Sequence, residues 1–68
     1  MSTFEVAVYN KTVRDKLKAG EHHRELNDDW ADIHYVEFKA EDTAEARRKA
    51  EIKFPVDQGF VIEAVMPA

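Results

Sequence analysis

Three stretches of alternating apolar and polar residues, one alanine-lined segment between the second and third, and a length of 68 residues predict a single small α+β domain. Its expected architecture is a three-stranded, mainly antiparallel sheet in the order 2-1-3, a split β-α-β arrangement with one main helix on one face.

The first strand places Phe4, Val6 and Val8 on one face and Glu5, Ala7 and Tyr9 on the other. It has the densest β-branched and aromatic content, which assigns it the central position. The second runs from Ile33 to Ala40, with His34, Val36, Phe38 and Ala40 opposite Ile33, Tyr35, Glu37 and Lys39. The third runs from Phe60 to Met66, with Phe60, Ile62, Ala64 and Met66 opposite Val61, Glu63 and Val65.

The helix signal lies between strands two and three. Asp42 followed by Glu45 makes a capping-box-like start, and both carboxylates suit the positive end of the helix dipole. Thr43, Ala46, Ala50 and Phe54 recur at three- and four-residue spacing, a narrow stripe that lets the helix approach a sheet closely. Pro55 cannot continue that helix, and Gly59 marks the turn into the last strand. A helix joining strands two and three makes them parallel to each other, with the first strand antiparallel between them.

Residues 11–29 carry a weaker pattern. Val13 and Leu17 lie four apart, Thr12 with Asp15 offers a cap, and Gly20 suits a helix end, so a short helix of about two turns is expected. Val13, Asp15 and Leu17 also alternate, which leaves a strand as the competing reading. The polar run EHHRELNDD from Glu21 to Asp29 reads as a loop.

Composition narrows the functions available. A chain near this length buries only about 60% of the surface its unfolded form exposes, so the core is thin and oligomerisation is an expected source of stability. The absence of cysteine removes disulfides, thiolate zinc sites and cysteine nucleophiles. Fourteen acidic against ten basic residues make the chain acidic, which argues against nucleic acid and anionic membrane as partners. The first ten residues lack a charged lead, a long apolar run and a cleavage motif, which predicts a cytoplasmic protein. No serine lies near a histidine and an acid in a pattern that suggests a triad, no cofactor motif is present, and an enzyme is not expected.

Three functional readings compete. The sheet face away from the helix would carry Ala7, Tyr9, Ile33, Tyr35, Val61 and Val65, and contiguous apolar patches on small domains mark contact sites. Either the segment 10–30 covers it or another subunit or protein does. Trp30, where the polar loop gives way to strand two, is either an anchor for a partner or a lid on the edge of the core. The leading expectation is therefore a protein-protein interaction or regulatory module that binds itself or another protein. His22, His23 and His34, among several carboxylates, form the alternative, a metal-binding accessory domain, although their spacing matches no metal motif. The third is an RNA-binding surface on Lys11, Arg14, Lys18, Arg47, Arg48, Lys49 and Lys53, which lacks a Gly-rich phosphate loop or a base-stacking motif.

Overall fold

The computed structural model describes all 68 residues. The chain runs β1 (Ser2–Asn10), α1 (Lys11–Lys18), a 3-10 turn (Asp28–Ala31), β2 (His34–Ala40), α2 (Thr43–Lys53), a second 3-10 turn (Val56–Gln58) and β3 (Phe60–Pro67). The strands form one sheet in the order β2-β1-β3, with β1 antiparallel to both neighbours. This is the expected α+β arrangement, and no helix is long and apolar enough to cross a membrane.

β1 is central because it has the side chains for it. Val6 and Val8 are buried on the helix side and the small Ala7 is buried between its neighbours on the other face, while β2 alternates half-buried and exposed residues and β3 stays half-buried along most of its length. On the helix side, Phe4, Ala40 and Ala46 form one cluster, with Val65 packed against it. Val8, Phe54 and Phe60 form a second, joined by Leu26, Trp30, Val36, Phe38 and Ile62. Ala46 and Ala50 are fully buried, so the alanine stripe brings α2 down on the sheet as its spacing requires. Thr43, at the head of that stripe, is exposed instead.

Both helix starts are capped by side chains. The Asp42 carboxylate accepts from the Glu45 amide at 2.8 Å, and Glu45 reaches back to accept from the Glu41 amide at 3.2 Å, one residue before the usual reciprocal donor. In α1 the cap is Asn10 rather than the expected Thr12: its Oδ1 accepts from the Val13 amide at 3.0 Å. The helical reading of residues 11–18 is the one the structure adopts, and Gly20, at φ 76°, ends it.

β3 departs from simple alternation. Its register against β1 shifts between Ala7 and Val8, so Ala7 faces Ala64 while Val8 faces Ile62, and Glu63 is the extra residue of a β-bulge. The bulge moves everything after it by one face. Val65, expected on the open face, lies opposite Val6 and packs on the helix-side core, whereas Ala64 and Met66 turn to the open face opposite Ala7 and Glu5. Ile33, expected as the first residue of strand two, precedes β2 and is 40% exposed.

Asn10 and Gly59 form a knot at one end of the sheet. Asn10 is fully buried, and while Oδ1 caps α1 its Nδ2 donates to the Gln58 carbonyl at 3.1 Å. The Lys11 amide donates to the Gly59 carbonyl at 2.7 Å. Gly59 adopts φ 93°, and a β-carbon there would overlap Thr12 Oγ1 and lie 2.9 Å from Asn10 Oδ1. Gly20 has a similar φ of 76° with open space around it. Substitution of alanine at each separates backbone strain from steric conflict: Gly20→Ala should cost about 1 kcal/mol and Gly59→Ala about 3 kcal/mol, read from urea unfolding midpoints. Equal losses would mean that the contact with Thr12 and Asn10 is relieved without cost.

Candidate functional site

The open face of the sheet is assembled in rows by the strand register. Tyr35, Ala7 and Ala64 lie across one row, and Glu37, Glu5 and Met66 across the next. Tyr9 pairs with Val61 toward one end, and Lys39 with Thr3 toward the other. Tyr35 is 61% exposed, the small Ala7 is buried between its neighbours, and Val61, Ala64 and Met66 are half-buried. The structure therefore brings Tyr9, Tyr35 and Val61 onto one surface. It leaves Ile33 beside that surface and removes Val65 from it.

No element crosses this face. The segment 10–30 turns instead to the end of the sheet, where α1 lies against the 3-10 turn Asp28–Ala31 and Leu26 and Trp30 join the helix-side core. One side chain from the segment does reach over: the Arg14 guanidinium sits 3.8 Å from the centre of the Tyr9 ring. It is held there by two bonds to the Ala31 carbonyl, from Nε at 2.9 Å and Nη2 at 2.7 Å. Tyr9 is thereby covered at its end of the face, while Tyr35 is left bare.

The open face sets two like charges against each other, with Lys39 two residues along β2 from one of them. Glu5 and Glu37 stand directly opposite each other, a cross-strand arrangement that is destabilising when the charges are alike, and neither forms an ion pair. Alternation puts both on this face without pairing them. The pairing follows only from the register, as do the places of Ala64 and Met66 after the bulge. Asn10 and Arg14, which direct the segment 10–30 away from the face, carry no signal of that role in a single sequence.

Trp30 is used internally. Its ring stacks on His34 at 4.3 Å between centroids, meets the edge of Phe60 at 5.3 Å and lies 5.6 Å from Phe54. It packs on the core beside Phe54 at the end of α2 and Phe60 at the start of β3, and stays half-exposed.

The three histidines are separated by their bonds. His23 Nδ1 accepts from the Glu25 and Leu26 amides at 3.0 Å, which organises the loop. His34 Nε2 donates to the Asp29 carbonyl at 2.9 Å, so its free nitrogen is Nδ1. His22 Nδ1 lies 3.0 Å from the Asp28 carboxylate. No group of three or more histidines and carboxylates converges as a metal cage. The largest hollow, about 500 Å³ and lined by His23, Leu26, Asn27, Asp28 and Asp29, is a dent in this exposed loop. Among the basic residues, Arg14 bonds to the Ala31 carbonyl and lies over Tyr9, and Lys49 reaches Glu45 and the Lys39 carbonyl.

Comparison with protein-family models, with curated proteins and with solved structures finds no match to this chain.

The hydrogen bond that His22 donates to the Asp28 carboxylate, and then the negative charge of that carboxylate, raise the pKa of His22 above the ordinary 6.5. A folded-state value raised above the unfolded one stabilises the fold below the unfolded pKa, and the gain is lost as pH rises through the folded value. Proton NMR titration should place the His22 midpoint above 6.5, with Asp28→Asn returning it toward the ordinary value. An unchanged midpoint in that variant would show that the contact is not held in solution.

Proposed function

We propose that this protein is a small, non-enzymatic interaction module that docks a protein surface on the open face of its sheet. The observation that carries this is the bare Tyr35, 61% exposed in a row with Ala7 and Ala64, on a face that the segment 10–30 leaves uncovered. The unpaired Glu5 and Glu37 add a chemical preference. A partner that sets a lysine or arginine against them relieves their mutual repulsion, and matched charge of this kind favours orientation and rate of association. Tyrosine suits such a surface because it contributes a large rigid contact area with a hydrogen-bonding tip.

Affinity capture with the wild-type chain, with Val61→Asp and Tyr35→Asp on the open face, and with Ile52→Asp on α2 provides the test. Ile52 is 81% exposed and away from the face, so its variant controls for added charge. Proteins retained by wild type and Ile52→Asp should be lost by both face variants, with losses of about tenfold or more in affinity. Equal retention by all four, with circular dichroism showing each folded, would remove the open face as the docking surface.

A further inference from the structure

The strongest feature outside the open face is the free edge of β2. The sheet order leaves both β2 and β3 with one unpaired side, and such edges are templates for another strand. The two edges differ. β3 is broken by the bulge at Glu63 and ends in Pro67, which has no amide hydrogen, and both devices blunt an edge. β2 runs seven residues, HYVEFKA, paired residue for residue with β1, with no proline, glycine or bulge.

We propose that β2 pairs antiparallel with β2 of a second copy of this chain, in the register centred on Phe38, so that Glu37 of each copy faces Lys39 of the other. Charge selects this register. Centring on Glu37 would oppose two glutamates, and centring on Val36 would set Tyr35 against Glu37 and Lys39 against Ile33, with no ion pair. Centring on Phe38 forms two Glu37–Lys39 pairs by symmetry and brings the two Phe38 rings together. A lone edge lysine guards against pairing, but a glutamate two residues away makes the edge complementary to itself.

The chain offers what this arrangement needs. Glu37 and Lys39 are both exposed, and the side chain of neither forms an ion pair within the chain. Val36 and Phe38 are only half-buried at the margin of the helix-side core, and pairing continues that core into the second copy. The Lys39 carbonyl accepts from the half-exposed Lys49 side chain at 2.7 Å, a long flexible donor that can yield to a strand amide. The two β1 strands would lie three strand spacings apart, about 14 Å. Two helices riding over them clear the 8–10 Å at which helices come into contact, which leaves room for α2 in both copies. The product is a six-stranded sheet whose two open faces join on one side.

This pairing forms along the strand edge, at the border of the docking face with which it shares Glu37, and it does not rest on that reading. Sedimentation of the wild-type chain from about 10 μM to about 1 mM should show a concentration-dependent dimer. Glu37→Lys and Lys39→Glu should each weaken it by about tenfold or more, since each sets like charges in both pairs. An equimolar mixture of the two should form a heterodimer tighter than either homodimer, and the double variant should return to wild-type affinity. Glu37→Lys also places a cation opposite Glu5, so the monomer fold is not put at risk; were either single variant to misfold, the double variant would still read the pairing. A wild-type monomer at 1 mM, undiminished single variants, or a mixture no tighter than its parts would each overturn the proposal. Val61→Asp separates the two surfaces: it leaves an edge dimer intact, whereas a dimer that it abolishes while the charge variants do not is a face-to-face association and overturns the edge pairing.

Discussion

The arrangement of this small domain depends on the buried side chain of Asn10. A polar group without solvent costs free energy unless each of its atoms is bonded, and both are bonded here, one to the Val13 amide and one to the Gln58 carbonyl. Three junctions meet there: the end of β1, the first turn of α1 and the turn into β3. Gly59 fits against it because it has no side chain, and its carbonyl takes the first amide of α1. Because α1 starts at this knot, the segment 10–30 leaves along the sheet end instead of across the far face. The exposure of Tyr35 is a consequence of that geometry.

A second constraint comes from the bulge in β3. One extra residue between Ile62 and Ala64 exchanges the faces of all that follow, so Val65 enters the core beside Phe4 while Met66 comes out beside Glu5. The core gains a branched residue under the first turns of α2, and the open face gains an apolar side chain near its acidic pair. The same bulge distinguishes the two sheet edges, since it disturbs β3 and leaves β2 regular. Core composition, docking surface and edge character are thus linked through a single inserted residue.

Parts of the site were legible in the residues themselves. Alternation placed Tyr9 and Tyr35 on the open face because neither β1 nor β2 carries the extra residue, so their own alternation is unbroken. It failed at Val65 for a physical reason: from Val61 to Met66 five of six residues are apolar, so both parities look alike and nothing in the pattern locates a bulge. Ile33 was assigned to a strand by the same periodicity, but pairing with β1 begins at His34. The cluster of histidines illustrates the opposite case, in which closeness along the chain suggested a shared site. His22, His23 and His34 each bond to a different local group.

By itself the sequence determined the three strands and their order, the main helix between the second and third, the helix-lined side of the sheet, the central place of β1 and the end of each helix, while it left helix and strand open from Val13 to Leu17. These follow from side-chain period, capping chemistry and the limits that proline and glycine put on the backbone, all of which act within a few residues. Tertiary structure alone decided that Asn10 rather than Thr12 caps α1, that Arg14 crosses to Ala31 and Tyr9, that β3 is bulged, and that Glu5 stands against Glu37. Each of these depends on residues distant in the chain or on a register between strands; Asn10, for one, caps Val13 while its other end is held by Gln58. Such contacts are chosen by the packing of the whole core, because only there do the competing local arrangements differ in free energy.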